Sequence, residues 1–484
     1  MHSDAEAGGG IPVAPSLEPA IESVEAAAAL APSPQAPRYG RLFRQSGLAV
    51  VVAVLASIAA RLLTWLIGLV TNLAFYHRWS GTFVSPAANH LGAAVIVVPV
   101  IGGIIVGFMA RHGSAAIRGH GIPEAMEQVL LNESRIPARV TFLKPLSAAI
   151  AIGTGGPFGA EGPIIATGGA LGSLLGQRLH TTADERRTLL AAGAAAGMAA
   201  TFGSPISAVL LAIELLVFEY SPRSLIPIAL ASAVATGVRM ALVGTAPVFP
   251  MPAIAAPGSA AILAYAAIGA LTGAMAVGVS RTLFAIEDGF DRLPIHWMWW
   301  PALGAIVVGV VGWIAPDTLG VGYVNIEHIV NGSITGGALL GLVGWKLLSW
   351  EIALGSGTSG GTLAPLFTIG GGFGALVGGS IAAVAPGLGV DPRVAAVVGM
   401  AAMFAGASHA LLASVVFAFE TTRTPLTLLP LLAGCTTAYL VALRLHPESI
   451  MTEKLTRRGT VVPREYHGVS VDRTDRADRT APTD

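Results

Sequence analysis

Long apolar segments follow one another along most of this chain, separated by short stretches rich in glycine and proline. Several reach the roughly 20 residues that an α-helix needs to cross a bilayer, and the shorter ones are typical of tilted, broken or re-entrant helices. The segments are residues 48–75, 91–109, 189–217, 226–243, 260–279, 301–315, 337–350, 365–385, 394–419 and 428–443. This pattern predicts an all-α polytopic membrane protein.

Two stretches of the chain are versions of one sequence at a fixed distance. Residues 153–176 begin Gly-Thr-Gly-Gly-Pro-Phe-Gly-Ala-Glu-Gly-Pro, and residues 355–378 begin Gly-Ser-Gly-Thr-Ser-Gly-Gly-Thr-Leu-Ala-Pro, an offset of 355 − 153 = 202. The tetrapeptide Gly-Met-Ala-Ala recurs at 197–200 and 399–402 with the same offset. The repeat indicates a duplicated membrane unit. Matching glycine- and proline-broken segments in two such halves point to a transport site.

Composition agrees with a location in a membrane. Hydrophobic residues make up 53% of the chain and charged residues 12%, about half the charged share of a soluble domain. The formal net charge of +0, without a large basic patch, gives no reason to expect nucleic acid as a partner. The single cysteine, Cys435, cannot form an intrachain disulfide. The sequence contains no metal, nucleotide or redox motif, so we expect no metal site and no cofactor.

The apolar segments divide the chain into three parts. Residues 1–45 lack aromatic and apolar clusters over most of their length and are expected to form a disordered tail. Residues 46–458 form the predicted transmembrane domain, with related halves at about 46–243 and 255–458, and residues 459–484 form a short polar tail. Basic residues flank the transmembrane domain at both ends, which predicts that both termini are cytoplasmic at the cell (inner) membrane.

A carboxylate stands inside the first glycine-rich break. Residues 153–163 lead into an apolar helix, where unpaired N–H groups and the helix dipole can bind an anion without a cationic side chain. Glu161 lies in this segment, and a carboxylate at membrane depth normally faces a cavity or a partner. The carboxylate can bind the same amides as a small anion, so protonation of Glu161 is expected to open the site. The alternative is a glutamate that only caps the helix.

Two other breaks complete the pattern. The second copy has Leu363 where the first has Glu161, so one half is expected to supply a gate and the other only backbone donors. Its Pro365 marks the start of a helix. The third break, residues 119–123, is Gly-His-Gly-Ile-Pro and also has the pattern of a loop entering a helix. By itself, His120 in this loop is compatible with a hydrogen-bonded structural histidine.

Together the three breaks resemble the signature loops of the CLC family of chloride channels and transporters. They are Gly-His-Gly-Ile-Pro at 119–123, Gly-Ala-Glu-Gly-Pro at 159–163 and Gly-Thr-Leu-Ala-Pro at 361–365, in the family's order. Residues 320–323 and 449–455 also resemble family segments. The resemblance implies an inverted repeat of tilted and broken helices, a homodimer in a lipid bilayer with one pore per subunit, and no enzymatic activity. It also implies chloride or another small anion, together with protons, as partners.

The resemblance further implies a site. Glu161 takes the position of the gating glutamate, and His120 takes that of a serine that touches the anion. We expect His120 to bind the anion and to respond to pH. Met451 replaces a tyrosine, and its thioether cannot donate a hydrogen bond. The anion-binding residues expected are His120, Gly121, Ile122, Gly159, Ala160, Gly162, Thr362, Leu363 and Met451.

A further departure concerns the inner proton path. Glu214 aligns with a structural acid of the family, and Leu215 aligns with the acid that transfers protons in many members. Leu215 lacks the proton-transferring acid and Met451 lacks the tyrosine hydroxyl, and both differences favour passive conduction. We therefore predict a pH-sensitive, proton-gated chloride channel. The alternative is a proton-coupled antiporter of chloride or of another anion, such as fluoride or nitrate, in which His120 replaces the inner proton carrier.

One alternative comes from a different class of protein. Residues 357–360 are Gly-Thr-Ser-Gly, a pattern found in rhomboid-type intramembrane serine proteases, and His409 lies 409 − 359 = 50 residues after Ser359. The repeat disfavours this hypothesis because it accounts for the glycines around Ser359. Lys144, which precedes Pro145, is interpreted as an anchor at the membrane interface. The alternative, implied by the resemblance to the CLC family, is a lysine that adds positive potential to the pore.

Overall fold

The computed structural model describes residues 39–460 and 462–463, in which α-helices form the main structure. The helices are α1 (Tyr39–Tyr76), α2 (Val97–His112), α3 (Ile122–Leu131), α4 (Ala138–Gly153), α5 (Glu161–Arg178), α6 (Ala183–Phe202), α7 (Pro205–Ala212), α8 (Pro222–Val243), α9 (Ser259–Asp291), α10 (Trp300–Ile314), α11 (Tyr323–Val330), α12 (Gly336–Gly355), α13 (Leu363–Val384), α14 (Pro392–Ser408), α15 (Leu411–Thr422), α16 (Leu428–Leu445) and α17 (Glu453–Arg457). A π-helical turn, Ile213–Val217, follows α7.

The ends of the chain differ from the expected division. The chain separates into a short unit, Met1–Arg44, and a large unit, Gln45–Asp484. Helix α1 begins at Tyr39, so residues 39–45 are helical and do not belong to the tail. The predicted disorder of residues 1–38 and most of the predicted polar C-terminal tail, residues 459–484, lie outside the described residues.

Eight helical segments of the described chain are long and apolar enough to cross a membrane. They are Gly40–Tyr76, Gly92–His112, Pro222–Val243, Ser259–Asp291, Trp297–Ile314, Gly336–Gly355, Leu363–Val384 and Pro425–Leu445. Shorter apolar helices lie between them, among them Pro392–Ser408 and Leu411–Thr422. The prediction of an all-α polytopic membrane protein with broken helices is confirmed.

Glycines let the same helical hairpin form in each half. In α5 and α6, Gly168 and Gly193 face each other so closely that a Cβ atom on either would collide with the carbonyl oxygen of the other. In α13 and α14, Gly370 and Gly399 make the same reciprocal contact. Close backbone approach at small residues is how helices pack in a bilayer, where apolar side chains gain little by leaving lipid.

The two halves also cap each other's helices. Glu214 accepts hydrogen bonds from the amides of Leu412 (3.0 Å) and Ala413 (2.9 Å) at the start of α15. Glu420 accepts them from the amides of Ile206 (3.0 Å) and Ser207 (2.9 Å) at the start of α7. The first-turn amides of a helix have no partner within it, so each carboxylate satisfies two of them. The matched offsets, 420 − 214 = 206 and 412 − 206 = 206, relate the halves by a two-fold axis.

Candidate functional site

Three helix N-termini meet where the halves contact each other. An isolated bridge pairs Gly119, before α3, with Ser359, before α13. A second bridge pairs Gly159, before α5, with Gly361, through N–H···O bonds of 3.1 and 2.9 Å. A Cβ atom on Gly162 would collide with the His120 carbonyl oxygen and lie 3.1 Å from the Gly361 Cα atom, so a side chain at this position would force the loops apart. The positive ends of α3, α5 and α13 therefore converge, as the sequence motifs predict.

Glu161 lies at this convergence. It is the first residue of α5, its exposed fraction is 1%, and its Oε1 atom accepts a 2.9 Å hydrogen bond from the Tyr323 hydroxyl. The Oε2 atom accepts no hydrogen bond from the described residues. It lies in a space between Gly159 and Gly361 that a Cβ atom on either residue would fill. We call this space the glycine cleft.

Not every predicted amide donor is available to an anion. The Gly121 N–H donates to Glu124 Oε2 at 2.6 Å, and the Gly159 N–H donates to the Gly361 carbonyl. The expectation that the Gly121 and Gly159 amides bind an anion is therefore corrected, because each amide already donates a hydrogen bond within the loops. The other predicted donors stand beside or within the first turn of a helix, where amides lack an intrahelical partner. They are Ile122, Ala160, Gly162, Thr362 and Leu363.

His120 faces a large cavity. Its Nδ1 atom is buried and makes no hydrogen bond with the described residues. The residue lines a cavity of about 380 Å³ together with Arg118, Lys454 and Arg458, but also with Glu287 and other acidic residues. The structure thus places His120 in the wall of a cavity that Lys454 and Leu455 of α17 also line.

Met451 does not line this cavity. Its exposed fraction is 0%, and its amide is bonded to the Ser449 hydroxyl at 3.2 Å. The neighbouring Ile450 lines the cavity beside His120 and donates its amide to the Ala407 carbonyl at 2.8 Å. At this point the wall beside His120 is therefore apolar.

Leu215 borders a second, smaller cavity. It lies in the π-helical turn with an exposed fraction of 3%, and the cavity measures about 120 Å³. Glu214, His409, Tyr439 and Glu448 also line it. Glu214 is held by the start of α15, which agrees with its expected structural role. Leu215 presents an apolar side chain among ionisable ones.

The sequence analysis missed three residues of the site. Lys144 is not an interfacial anchor: its Nζ atom is buried and donates to the carbonyls of Ile117 (2.9 Å) and Gly119 (2.8 Å). Lys346 is its counterpart and donates to the carbonyls behind the other loop, of Thr318 and Gly320, both at 2.9 Å. The two lysines are 346 − 144 = 202 residues apart, which is the offset of the repeat, so the sequence did contain a signal that they are counterparts. The third is Tyr323, for which no local pattern indicated the contact with Glu161.

Ser359 and His409 do not form the dyad that the protease hypothesis requires. Ser359 is fully buried and its hydroxyl accepts a 3.1 Å hydrogen bond from Ser147. His409 lies in the cavity beside Leu215, with its ring 5.5 Å from that of Tyr439. The two residues have different partners, so Ser359 belongs to the loop structure.

Comparison with known proteins agrees with this geometry. The profile of the voltage gated chloride channel family matches residues 101–443. The H(+)/Cl(-) exchange transporter ClcA of Vibrio parahaemolyticus is 29% identical over 377 residues, covering 76% of this chain and 80% of the relative. The chloride channel protein CLC-f of Arabidopsis thaliana is 30% identical over 367 residues, or 70% of this chain, which spans only 46% of that protein.

A solved structure has the same fold. The crystal structure of a slow cyanobacterial Cl⁻/H⁺ antiporter superposes with a TM-score of 0.75 and 24% sequence identity, covering 86% of this chain and 98% of the other. Members of this family are transporters and channels, not enzymes. By its sequence, its fold and its three converging loops, the chain belongs to the voltage-gated chloride channel family.

Proposed function

We propose that this protein exchanges chloride for protons across the membrane and that Glu161 carries the proton at one end of the anion path. The position of the Glu161 carboxylate carries the proposal. It lies in the glycine cleft, where three helix N-termini converge and where an anion is best stabilised. A proton that neutralises Glu161 removes its attraction to those amides, and an anion can then replace it.

This arrangement couples the two ions by competition. The ionised carboxylate and the anion require the same positive potential, so they are not expected to occupy the cleft together. The burial of Glu161, with an exposed fraction of 1%, supports a path that is closed at this carboxylate. The names of several relatives, which are H(+)/Cl(-) exchange transporters, support the same mechanism.

A pH-sensitive chloride channel is the second candidate. Two observations favour it: Leu215 cannot carry a proton, and Met451 cannot donate a hydrogen bond to an anion. Exchange therefore needs another proton carrier on the α17 side. His120, which lines the large cavity and whose buried Nδ1 atom makes no hydrogen bond with the described residues, is the carrier that we propose.

The experiment uses purified protein in liposomes that hold a chloride gradient and no proton gradient. We expect chloride efflux to drive protons uphill, and Glu161→Gln to abolish the proton movement. Asp184→Asn is the control, because the Asp184 side chain is 92% exposed and its ion pair with Arg187 is long, at 3.8 Å. Chloride efflux without uphill protons supports the channel. No chloride movement at all contradicts chloride transport, and replacing chloride by fluoride or nitrate then tests the other anions.

We further propose the orientation and the assembly. Arg186, Arg187, Arg457 and Arg458 form ion pairs near the ends of α3, α6, α9 and α17, and the positive-inside rule then makes this face cytoplasmic. Exposed apolar side chains on α8 and α16 suit contact with lipid or with a second copy in a homodimer. Cysteine accessibility on α17 tests the orientation, and light scattering of the detergent complex tests the dimer.

A further inference from the structure

Tyr323 is bonded to the gating carboxylate. Its hydroxyl donates a 2.9 Å hydrogen bond to Glu161 Oε1 across 162 residues of sequence. Among the described residues it is the single side chain that donates a hydrogen bond to Glu161. The bond joins the second half of the repeat to the gate of the first half.

The position of the hydroxyl is fixed by its surroundings. The Tyr323 ring makes edge contacts with Phe202 and Phe249, at centroid distances of 5.9 and 6.1 Å, and stacks on Phe83 at 6.3 Å. Tyr323 is also the first residue of α11, directly after Gly322, whose φ of 80° is left-handed. The Lys346 ammonium holds the preceding loop by its two carbonyl contacts. A side chain with so many contacts presents its hydroxyl in one direction.

The repeat shows that this bond between the halves has no counterpart at the corresponding pair of positions. Tyr323 corresponds to Ile122, because each is the first residue after a Gly-x-Gly loop held by a buried lysine, with the offset 323 − 122 = 201. Glu161 corresponds to Leu363, with the offset 363 − 161 = 202. The polar pair of Tyr323 and Glu161 therefore has an apolar counterpart in Ile122 and Leu363. A hydroxyl and a carboxylate occur together on one side of the site and are both missing on the other.

We propose that Tyr323 is a positioning residue that holds the ionised Glu161 carboxylate in the glycine cleft and thereby sets how easily an anion displaces it. The proposal rests on the function proposed above. A hydroxyl donates a stronger hydrogen bond to a carboxylate than to a neutral carboxyl group, so the bond favours the closed, ionised state. The other ionisable groups around the cleft are Lys346, which acts on Glu161 electrostatically, and His120, whose carbonyl contacts Gly162.

The test is Tyr323→Phe, which keeps the ring and its three aromatic contacts and removes only the hydroxyl. We expect chloride to bind more tightly and to move faster at neutral pH, by about tenfold, the ratio that one hydrogen bond to a charged group can set. Isothermal titration measures the affinity, and liposome efflux measures the rate. Tyr265→Phe is the control, because it also removes one tyrosine hydroxyl, which in this case is hydrogen-bonded to Asp391 and not to Glu161.

A double-mutant comparison separates positioning from structure. In a Glu161→Ala background, we expect Tyr323→Phe to change neither affinity nor rate. An equal effect in both backgrounds overturns the proposal, because Tyr323 would then act without Glu161. An unchanged Tyr323→Phe protein also overturns it, but leaves the proposed function intact if Glu161→Ala still alters the flux. If the unaltered protein moves no anion, both proposals fall.

A spectroscopic measurement does not depend on transport. The infrared carboxylate stretch of Glu161, identified by its loss in Glu161→Gln, is expected to shift in Tyr323→Phe, because a hydrogen-bonded carboxylate vibrates differently from one without this donor. Tyr265→Phe is expected to leave the band in place. An unshifted band in Tyr323→Phe contradicts the proposed bond.

Discussion

Adding one methyl group at Gly361 is expected to open the site. An ideal Cβ atom on Gly361 would lie 2.6 Å from the Gly159 carbonyl oxygen and 2.9 Å from the Gly162 nitrogen, and both neighbours are backbone atoms. It would also lie 3.1 Å from Glu161 Oε2, at the edge of the glycine cleft. Because backbone cannot rotate away as a side chain can, Gly361→Ala has to separate the two loops.

The bridge between the loops sets the size of the effect. Separation breaks the two N–H···O bonds between Gly159 and Gly361, of 3.1 and 2.9 Å. Each such bond contributes about 0.5–1.5 kcal/mol net, so the local opening should become easier by about 1–3 kcal/mol, or roughly 5- to 150-fold. If the loops stayed together, the overpacked methyl group would cost a similar ~1–3 kcal/mol. The cost of overpacking and the cost of the broken bonds do not add, because separating the loops removes the steric overlap.

Hydrogen–deuterium exchange measures this opening directly. We expect amides in residues 153–163 and 355–365 to exchange roughly 5- to 150-fold faster in Gly361→Ala, in line with the opening energy. Gly344→Ala is the control, because a Cβ atom at Gly344 of α12 meets nothing within 4 Å and alanine suits a helix better than glycine. Its exchange in these loops is expected to stay as it is.

Two results of the exchange experiment would refute the prediction for Gly361→Ala. If Gly361→Ala exchanges like the unaltered protein in both loops, the close approach of Gly159 and Gly361 is not what holds the helix starts together. If Gly344→Ala accelerates exchange as much as Gly361→Ala, the loops respond to any added methyl group, and the argument from the cleft fails.

Three further predictions follow from other contacts. Lys346→Met leaves the carbonyls of Thr318 and Gly320 without a donor, so it should lower the free energy of unfolding by about 2–6 kcal/mol in detergent denaturation. Lys144→Met leaves the Ile117 carbonyl without a donor, whereas the Gly119 carbonyl keeps a 3.4 Å bond from the Gly360 amide, so its loss should be smaller, about 1–3 kcal/mol. A loss below about 1 kcal/mol in either variant contradicts the role of the two lysines. Glu420→Gln keeps one acceptor oxygen but turns an NH₂ group towards an amide donor, so the same assay should show a loss of about 1–3 kcal/mol, and full stability would mean that the cap of α7 is dispensable. Leu215→Glu adds a carboxyl group to the smaller cavity and should raise the number of protons moved per chloride in liposomes, whereas an unchanged ratio shows that Leu215 does not interrupt the proton path.

Features that depend on local sequence were predictable. The length of apolar segments predicts membrane helices, because each residue adds a fixed rise to a helix and the bilayer has a fixed thickness. The offset of 202 residues predicts the duplicated unit, and glycine with proline marks the helix starts. The alignment of Glu214 with a structural acid agrees with its two bonds to the start of α15.

The hydrogen-bond partners of individual loop and lysine groups were not predictable in the same way. Lys144 was taken for an interfacial anchor, because its local pattern does not show that a loop turns its carbonyls towards the lysine. The Gly121 and Gly159 amides were expected to bind an anion, but Glu124 and Gly361 accept their hydrogen bonds.

The sequence by itself determined the helical membrane class, the repeat, the three glycine-rich helix starts and the carboxylate at the first of them. Each of these can be read from residue type and position along the chain, and the repeat from the constant offset of 202 residues. Only the tertiary structure decided that Tyr323 bonds to Glu161 and that Glu161 lies between Gly159 and Gly361. The physical reason is that such contacts join residues from different halves of the chain, and the packing of the halves brings them within hydrogen-bonding distance.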